Sequence, residues 1–268
     1  MIELQKQKQW VLWKEVIRDG GKSTKIPCSK AGRATSISND ECIKSYEQAR
    51  DEWLKDMTQM ISGIGFVIKD EDDFIGIDID SINKWYGWRE IIRKFSNTYI
   101  EWSPSGTGLH VWCRGYLPSD ENVSCKRIGS HETGAIEIYG GKRFLTMTFN
   151  PLEGYEDNDI EPNQESINWL FHSMNDQQLI SKILSSTNAT KVQKLFEGKW
   201  QDAGYASHSE ADLGLVRILS NCGAPIHQID RIYRKSKLYR SKWMELRGSR
   251  TYGQLTLKKG TTESKVNF

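Results

Sequence analysis

The run Phe74-Ile75-Gly76-Ile77-Asp78-Ile79-Asp80 constrains the fold of this chain more than any other segment. Side chains of a β-strand alternate between its two faces. Ile75, Ile77 and Ile79 therefore form one apolar face, and Asp78 and Asp80 project together from the other. Carboxylates beside a hydrophobic core are costly unless positive charge sits between them. An all-oxygen pair of this kind suits a divalent cation, Mg²⁺ or Mn²⁺. The chain is thus expected to fold around a strand that is apolar on one side and acidic on the other.

With 268 residues there is material for one large domain or two ordinary ones. No apolar run approaches the roughly 20 residues that cross a bilayer, and Met1–Lys6 lacks the apolar core of a secretion signal. Five scattered cysteines form no paired framework, which suits a reducing cytoplasm. The expectation is a cytoplasmic protein with no membrane partner. Net charge is only +2, but its distribution is uneven. From Pro151 to Asn168 there are six acids and no Lys or Arg, with Pro151, Gly154 and Pro162 as breakers. This reads as a boundary between a domain over 1–155 and a second over 156–268.

Before the boundary, short β-branched or aromatic runs predict strands at Trp10–Trp13, Gly65–Lys69, Phe74–Ile79, Tyr99–Trp102, Leu109–Cys113, Ala135–Tyr139 and Arg143–Met147. Helices are predicted over Asp40–Leu54 and Lys84–Phe95, the latter from its apolar stripe. Strand, helix and strand from Phe74 to Trp102 can carry a mixed sheet. After the boundary the pattern is helical: Ser166–Ser173, Asp176–Leu184, Ser209–Asn221 opening on Ser209 and Asp212, and a helix after Pro225. The fold class is α+β, with a mixed-sheet module followed by a small helical bundle.

Two further elements bear on chemistry. Ser103-Pro104-Ser105-Gly106-Thr107-Gly108 is a tight turn whose backbone N–H groups can face an anion, and it leads into a strand carrying His110. Ser105, Thr107 and His110 can add donors; an ordinary Gly-rich hairpin with a core histidine is the alternative. In Ala135-Ile136-Glu137-Ile138-Tyr139, Glu137 is an acid on a strand otherwise built for burial, and a third carboxylate can complete a metal site. Gly140-Gly141 and the pair Lys142 and Arg143 follow, placed to meet polyphosphate or to form a solvated turn.

The order D-x-D, then S-G-x-G-x-H, then a strand-borne acid with Gly-Gly and a basic pair resembles the archaeo-eukaryotic primase superfamily, in particular the replicative primase-polymerases of phages and plasmids. Trp10-Val11-Leu12-Trp13, Thr24-Lys25-Ile26-Pro27 and Gly32-Arg33-Ala34-Thr35 are similar to the opening of that group. Ser209–Leu213, Leu238–Trp243 and Arg250–Gly253 are similar to its tail. The resemblance implies an RRM-like catalytic core followed by a helical domain. It implies a DNA primase or polymerase that extends strands, with initiation to be tested, in a bacterial host cell. Asp78, Asp80 and Glu137 would hold two divalent ions. Ser105, Gly106 and His110 would contact the nucleotide, a dNTP or NTP, and Lys142, Arg143 and Lys25 would neutralise phosphate charge. Single-stranded DNA is the implied template, and a helicase, separate or in a longer form of the chain, the implied partner.

From Arg231 to Lys259 there are ten basic residues against one acid. Arg231, Arg234, Lys235 and Leu238 fall at i, i+3, i+4 and i+7, which predicts three cations on one side of a helix. With Arg240 and Trp243, and with Tyr239 and Tyr252 interleaved, this region is expected to engage unpaired template; a solvated basic face is the plainer reading. Two other function classes stay open: a metal-dependent nuclease, and a catalytically silent initiator or single-strand-binding module. Gly20-Gly21-Lys22-Ser23-Thr24 is no ATPase loop, because Val16 stands where the first glycine is required. Cys113, Cys125 and His131 lack C-x-x-C spacing, so no zinc site is expected.

Overall fold

The computed structural model describes residues 2–17, 21, 23–118, 124–130 and 133–263. They form two compact units, Met1–Phe171 and His172–Phe268. The protein is α+β, as expected.

The first unit holds two sheets. One has the order β2-β1-β3-β9, from Ser23–Cys28 (β2), Trp10–Ile17 (β1), Gly63–Ile68 (β3) and Arg143–Met147 (β9). The other has the order β5-β6-β4-β8-β7, from Tyr99–Trp102 (β5), Leu109–Arg114 (β6), Phe74–Asp80 (β4), Gly134–Tyr139 (β8) and Cys125–Ser130 (β7). Every strand pair in both is antiparallel, which corrects the mixed sheet expected from sequence. The reason is an insertion: β6 lies between β4 and β5 and pairs with both, so those two strands never touch as parallel neighbours. β2 and β7 were not read from the sequence, and β1 runs on past Trp13 to Ile17.

The sheets face each other across an aromatic core. The Phe66 ring meets Trp10, Phe74 and Trp112 edge-on at centroid distances of 5.4, 5.5 and 5.8 Å. Strand alternation decides which face of β4 joins this core. Phe74, Gly76, Asp78 and Asp80 share one face, and a Cβ on Gly76 would sit 3.0 Å from Ile68 and 3.1 Å from Leu145 on the opposite sheet. That close approach needs glycine. Along β4 the inter-sheet layer thus passes from Phe74 through Gly76 to the acids, while Ile75, Ile77 and Ile79 bury the reverse face.

Helix boundaries follow local chemistry. The helix expected over Asp40–Leu54 is a 3₁₀ turn at Asp40–Cys42 and then α1, Tyr46–Leu54. Ser45 and Gln48 exchange side-chain bonds to each other's N–H and start α1 as a capping box. The helix expected over Lys84–Phe95 starts only at Trp88 (α2, Trp88–Lys94), with Gly87 as its N-cap.

The acidic stretch belongs to the first unit, so the compact units divide further along the chain than 155/156. Trp102 N–H donates to Asn150 O and Leu152 N–H to Ile100 O, which covers the free edge of β5. Tyr99 N–H donates to Asp159 O, and Arg114 N–H to Glu161 O.

Gln164–Leu184 is one helix, α3, and the division between the units falls within it; no Gly or Pro interrupts the two shorter helices expected there. The second unit continues with Ala189–Phe196 (α4), His208–Asn221 (α5), Ile226–Lys235 (α6), the short hairpin of Leu246–Arg247 (β10) and Arg250–Thr251 (β11), and Tyr252–Glu263 (α7). α5 is capped by Ser207, whose hydroxyl accepts from Glu210 N–H, rather than by Ser209. Its core holds Leu215, Leu219, Ile229, Ile232, Tyr233 and Trp243. Among the described residues, no helix is long and apolar enough to cross a membrane.

Candidate active site

Five residues form one rung across the second sheet of the first unit. In strand order they are Glu101, His110, Asp78, Glu137 and Arg127, each the direct cross-strand partner of the next. Directly paired residues point to the same side of a sheet. Asp78, His110 and Glu137 are therefore brought side by side by strand register alone. Asp80 projects from the same face two residues on.

The carboxylates of this rung repel one another. Burial pushes the Glu137 carboxyl above the usual carboxylate range; Arg127 pulls it back down, and the charges of Asp78 and Asp80 push it further up. Arg127 forms an ion pair with one Glu137 oxygen, and the Tyr139 hydroxyl donates to the other. As they stand, no three Asp, Glu, His or Cys side chains among the described residues are gathered closely enough to hold an ion. The donor set itself fits one: three carboxylates on adjacent strands, with like charges that a cation would relieve.

A cleft of about 670 Å³ opens in front of Asp78 and Glu137. Lys25, Lys142 and Arg143 line it together with Arg127 and Lys126, so the three basic residues picked from sequence do come to the acids. Lys25 also lies over the Trp13 ring, 5.8 Å from its centroid. Lys142 pairs with Asp70 at 2.8 Å, which holds its ammonium above the ordinary lysine range. Thr146 lines the same cleft, and its buried hydroxyl has no hydrogen-bond partner. The same is true of His110 Nε2, 3.7 Å from Asp78 Oδ1.

The Gly-rich turn stacks against the end of β4. Ile82 N–H donates to Thr107 O at 3.0 Å, and a Cβ on Gly108 would lie 2.6 Å from Ile79 O. Gly106 has φ +68°, a conformation that favours glycine. The hydroxyls of Ser103, Ser105 and Thr107 form a chain with 3.0 Å steps. Ser105 and Gly106 are thus on an exposed turn beside Asp80.

Sequence reasoning missed Glu101 and Arg127. Glu101 carried the same signal as Glu137, an acid on an otherwise apolar strand. Arg127 lies on β7, a strand not recognised at all.

In the second unit, the residues expected to engage template have partners within the protein. Trp243 is a core residue, 1% exposed, lying flat on Tyr233 at 3.6 Å with its indole N–H donated to Asp230 at 2.8 Å. Arg231 grips the buried Asp176 with two nitrogens, and Lys235 meets the same carboxylate at 3.0 Å. Arg240 pairs at 3.0 Å with Asp212, which is fully buried and also accepts from the Tyr233 and Tyr252 hydroxyls. Arg234 pairs with Asp230 and lies over the Tyr239 ring. Leu238 is outside the helix, which ends at Lys235. Arg231, Lys235 and Arg240 thus offset buried acids, whereas Arg247 and Arg250, on the β10–β11 hairpin, are exposed. Of the cysteines and histidine considered for zinc, Cys113 is buried, Cys125 is half-buried and His131 lies outside the described residues.

The acidic rung, basic cleft and glycine turn carry the resemblance to phage-type primase-polymerases, and comparison with known proteins agrees with it. Residues 208–268 match the family described as the NrS-1 polymerase HBD domain. Over 96% of its length the chain is similar, at 30% identity, to the DNA primase-polymerase of Nitratiruptor phage NrS-1. It spans 36% of the length of that relative.

Proposed function

We propose that this protein is a DNA primase-polymerase that catalyses template-directed nucleotidyl transfer on single-stranded DNA. The observation that carries the reading is the rung itself: Asp78, Glu137 and His110 lie side by side, with Asp80 adjacent, and Asp78 and Glu137 face a cleft lined by Lys25, Lys142 and Arg143. The first unit is then the catalytic core of primase-polymerase type.

Asp78, Asp80 and Glu137 would hold two divalent ions, Mg²⁺ or Mn²⁺. Such ions, when bound, stabilise charge on the attacking and leaving oxygens of a phosphoryl transfer. The rest of the work falls to side chains. Lys25, Lys142 and Arg143 offset the charge of a dNTP or NTP triphosphate. Ser105, Gly106 and their turn lie where backbone N–H groups can meet an anion beside Asp80. Arg127 keeps Glu137 neutralised while the cleft is empty of cations. Phosphoryl transfer of this type depends on positioning and charge stabilisation, so no covalent nucleophile is required.

Template contact in the second unit is placed on exposed cations such as Arg247 and Arg250, and the match of 208–268 to the NrS-1 polymerase HBD domain supports a replication role there. A helicase partner and phage- or plasmid-type replication in a bacterial cell are part of this reading.

One assay tests it. Primed and unprimed single strands are supplied with dNTPs or NTPs and with Mg²⁺ or Mn²⁺, and product length is followed. Metal-dependent extension is expected. Degradation of labelled strands without nucleotides would instead indicate a nuclease, and binding without incorporation a silent DNA-binding module.

A further inference from the structure

Glu101 is fully buried in β5. A carboxylate out of water persists only with donors around it, and Glu101 is surrounded by them. Thr148 N–H reaches its two oxygens at 3.2 and 3.1 Å, and Phe149 N–H reaches Oε2 at 2.9 Å. The Tyr99 hydroxyl donates to Oε2 at 3.3 Å, and burial together with the Glu101 charge holds that phenol protonated.

The remaining partner is His110 Nδ1, 3.1 Å from Oε1. A carboxylate that already accepts two main-chain N–H groups and a phenol leaves the imidazole as donor, so Nδ1 carries a proton. The ring is fixed by this bond, and Nε2 points the opposite way, toward Asp78. Nε2 is fully buried with its residue and has no hydrogen-bond partner, and the group it points to, Asp78, lines the cleft.

Glu101 also has a purely structural task to be separated from this one. Phe149 has φ +54°, a strained conformation for a non-glycine residue. Its ring packs on Trp10 and Tyr46 at 5.8 and 5.3 Å, and the Glu101 bond to its N–H helps to hold the strained backbone.

We infer that Glu101 is a positioning residue for nucleotide engagement: it accepts the Nδ1–H and fixes the direction of the His110 ring, so that an Nε2–H beside Asp78 can be donated to the phosphates of the incoming nucleotide. The inference rests on the reading of the cleft as a nucleotidyl-transfer site. It concerns a residue that touches neither nucleotide nor cation and acts only through His110.

The experiment is a double-mutant cycle on the full chain, with dATP and Mg²⁺ binding measured by calorimetry for wild type, Glu101→Gln, His110→Ala and the double variant. Glu101→Gln is expected to weaken dATP binding about tenfold, in the range found when outer partners of a binding histidine are removed. The double variant is expected to bind no more weakly than His110→Ala alone. Long-range ¹H–¹⁵N spectra of the His110 ring should show Nδ1 protonated in wild type and altered in Glu101→Gln. Additive losses, or a ring spectrum unchanged by Glu101→Gln, would show Glu101 to be a latch for Phe149 only and would overturn the inference. If His110→Ala binds dATP as wild type does, it is the nucleotide reading of the site that fails. Should Glu101→Gln not fold, the wild-type ring spectrum decides alone, because an unprotonated Nδ1 contradicts the geometry on which the inference stands.

Discussion

Asp78 and Glu137 occupy paired positions on β4 and β8, so two carboxylates face the same side of the sheet across a single rung. Like charges directly opposite one another destabilise a sheet, and the upward push on Glu137 from Asp78 is that repulsion expressed as proton affinity. Replacing Asp78 with Asn removes the charge and keeps the shape. Strand extension should be lost, while the thermal midpoint should be no lower than that of wild type. Primer extension and a melting curve on the same preparation check both halves; an active variant contradicts the proposed role.

The close approach of Gly108 to Ile79 gives a second expectation. A methyl at 108 would lie 2.6 Å from a main-chain oxygen and 3.0 Å from Ser103 Oγ, so the turn must move away from Asp80. Gly108→Ala should raise the nucleotide KM and cost about 1–3 kcal/mol of stability through overpacking. At Gly106, open space surrounds the added methyl and only the positive φ is penalised, at about 1–2 kcal/mol. Steady-state kinetics with urea denaturation would show the KM effect at 108 to be the larger.

In the second unit, stability and template binding should separate by residue. Trp243→Ala removes a buried indole and should cost about 3–5 kcal/mol. Arg231→Ala leaves the buried Asp176 with Lys235 as its cation, so it should cost less, about 1–3 kcal/mol for the lost charged hydrogen bonds. Arg250→Ala, at an exposed position, should leave stability within about 0.5 kcal/mol of wild type. It should also weaken single-strand binding and flatten its salt dependence. Denaturation curves and fluorescence anisotropy over a salt series measure the two effects.

Thiol chemistry offers an independent check on burial in the first unit. Burial pushes the Cys28 thiol up to about 11 and raises that of Cys113 as well. Since the thiolate is the reactive form, raising the pH from 7 to 8 should leave both nearly inert in the folded protein. Cys125 and Cys222, both half-buried, should react first with a disulfide reagent. Mass spectrometry of the partly labelled protein identifies the order; early labelling of Cys28 contradicts the packing described here.

The strand face that carries Asp78 and Asp80 was legible because its alternation is strict and its apolar residues are all isoleucine. Glu137 was legible for the same reason. Pairing order was not, since nothing local in Tyr99–Trp102 says that β6 intervenes between it and β4. β2 escaped notice because Ser23-Thr24-Lys25-Ile26-Pro27-Cys28 has little alternation of its own and is held by its pairing with β1. The partners of the basic run after Arg231 were not legible, because charge spacing along a helix does not reveal a buried acid on another element. Asp176 and Asp212 lie far away in sequence, and only packing brings them to Arg231 and Arg240.

β4 is hydrogen-bonded on both flanks, to β6 and to β8, with an apolar layer beneath it. Backbone amides in such a strand exchange with solvent only when the whole unit opens. Deuterium should therefore reach residues 76–79 last, and the Ser103–Gly108 turn far earlier. The aspartates then ride on a stiff ribbon, while the Ser103–Gly108 turn beside them is free to yield. The proposed site would thus keep a fixed anvil beside a yielding lip.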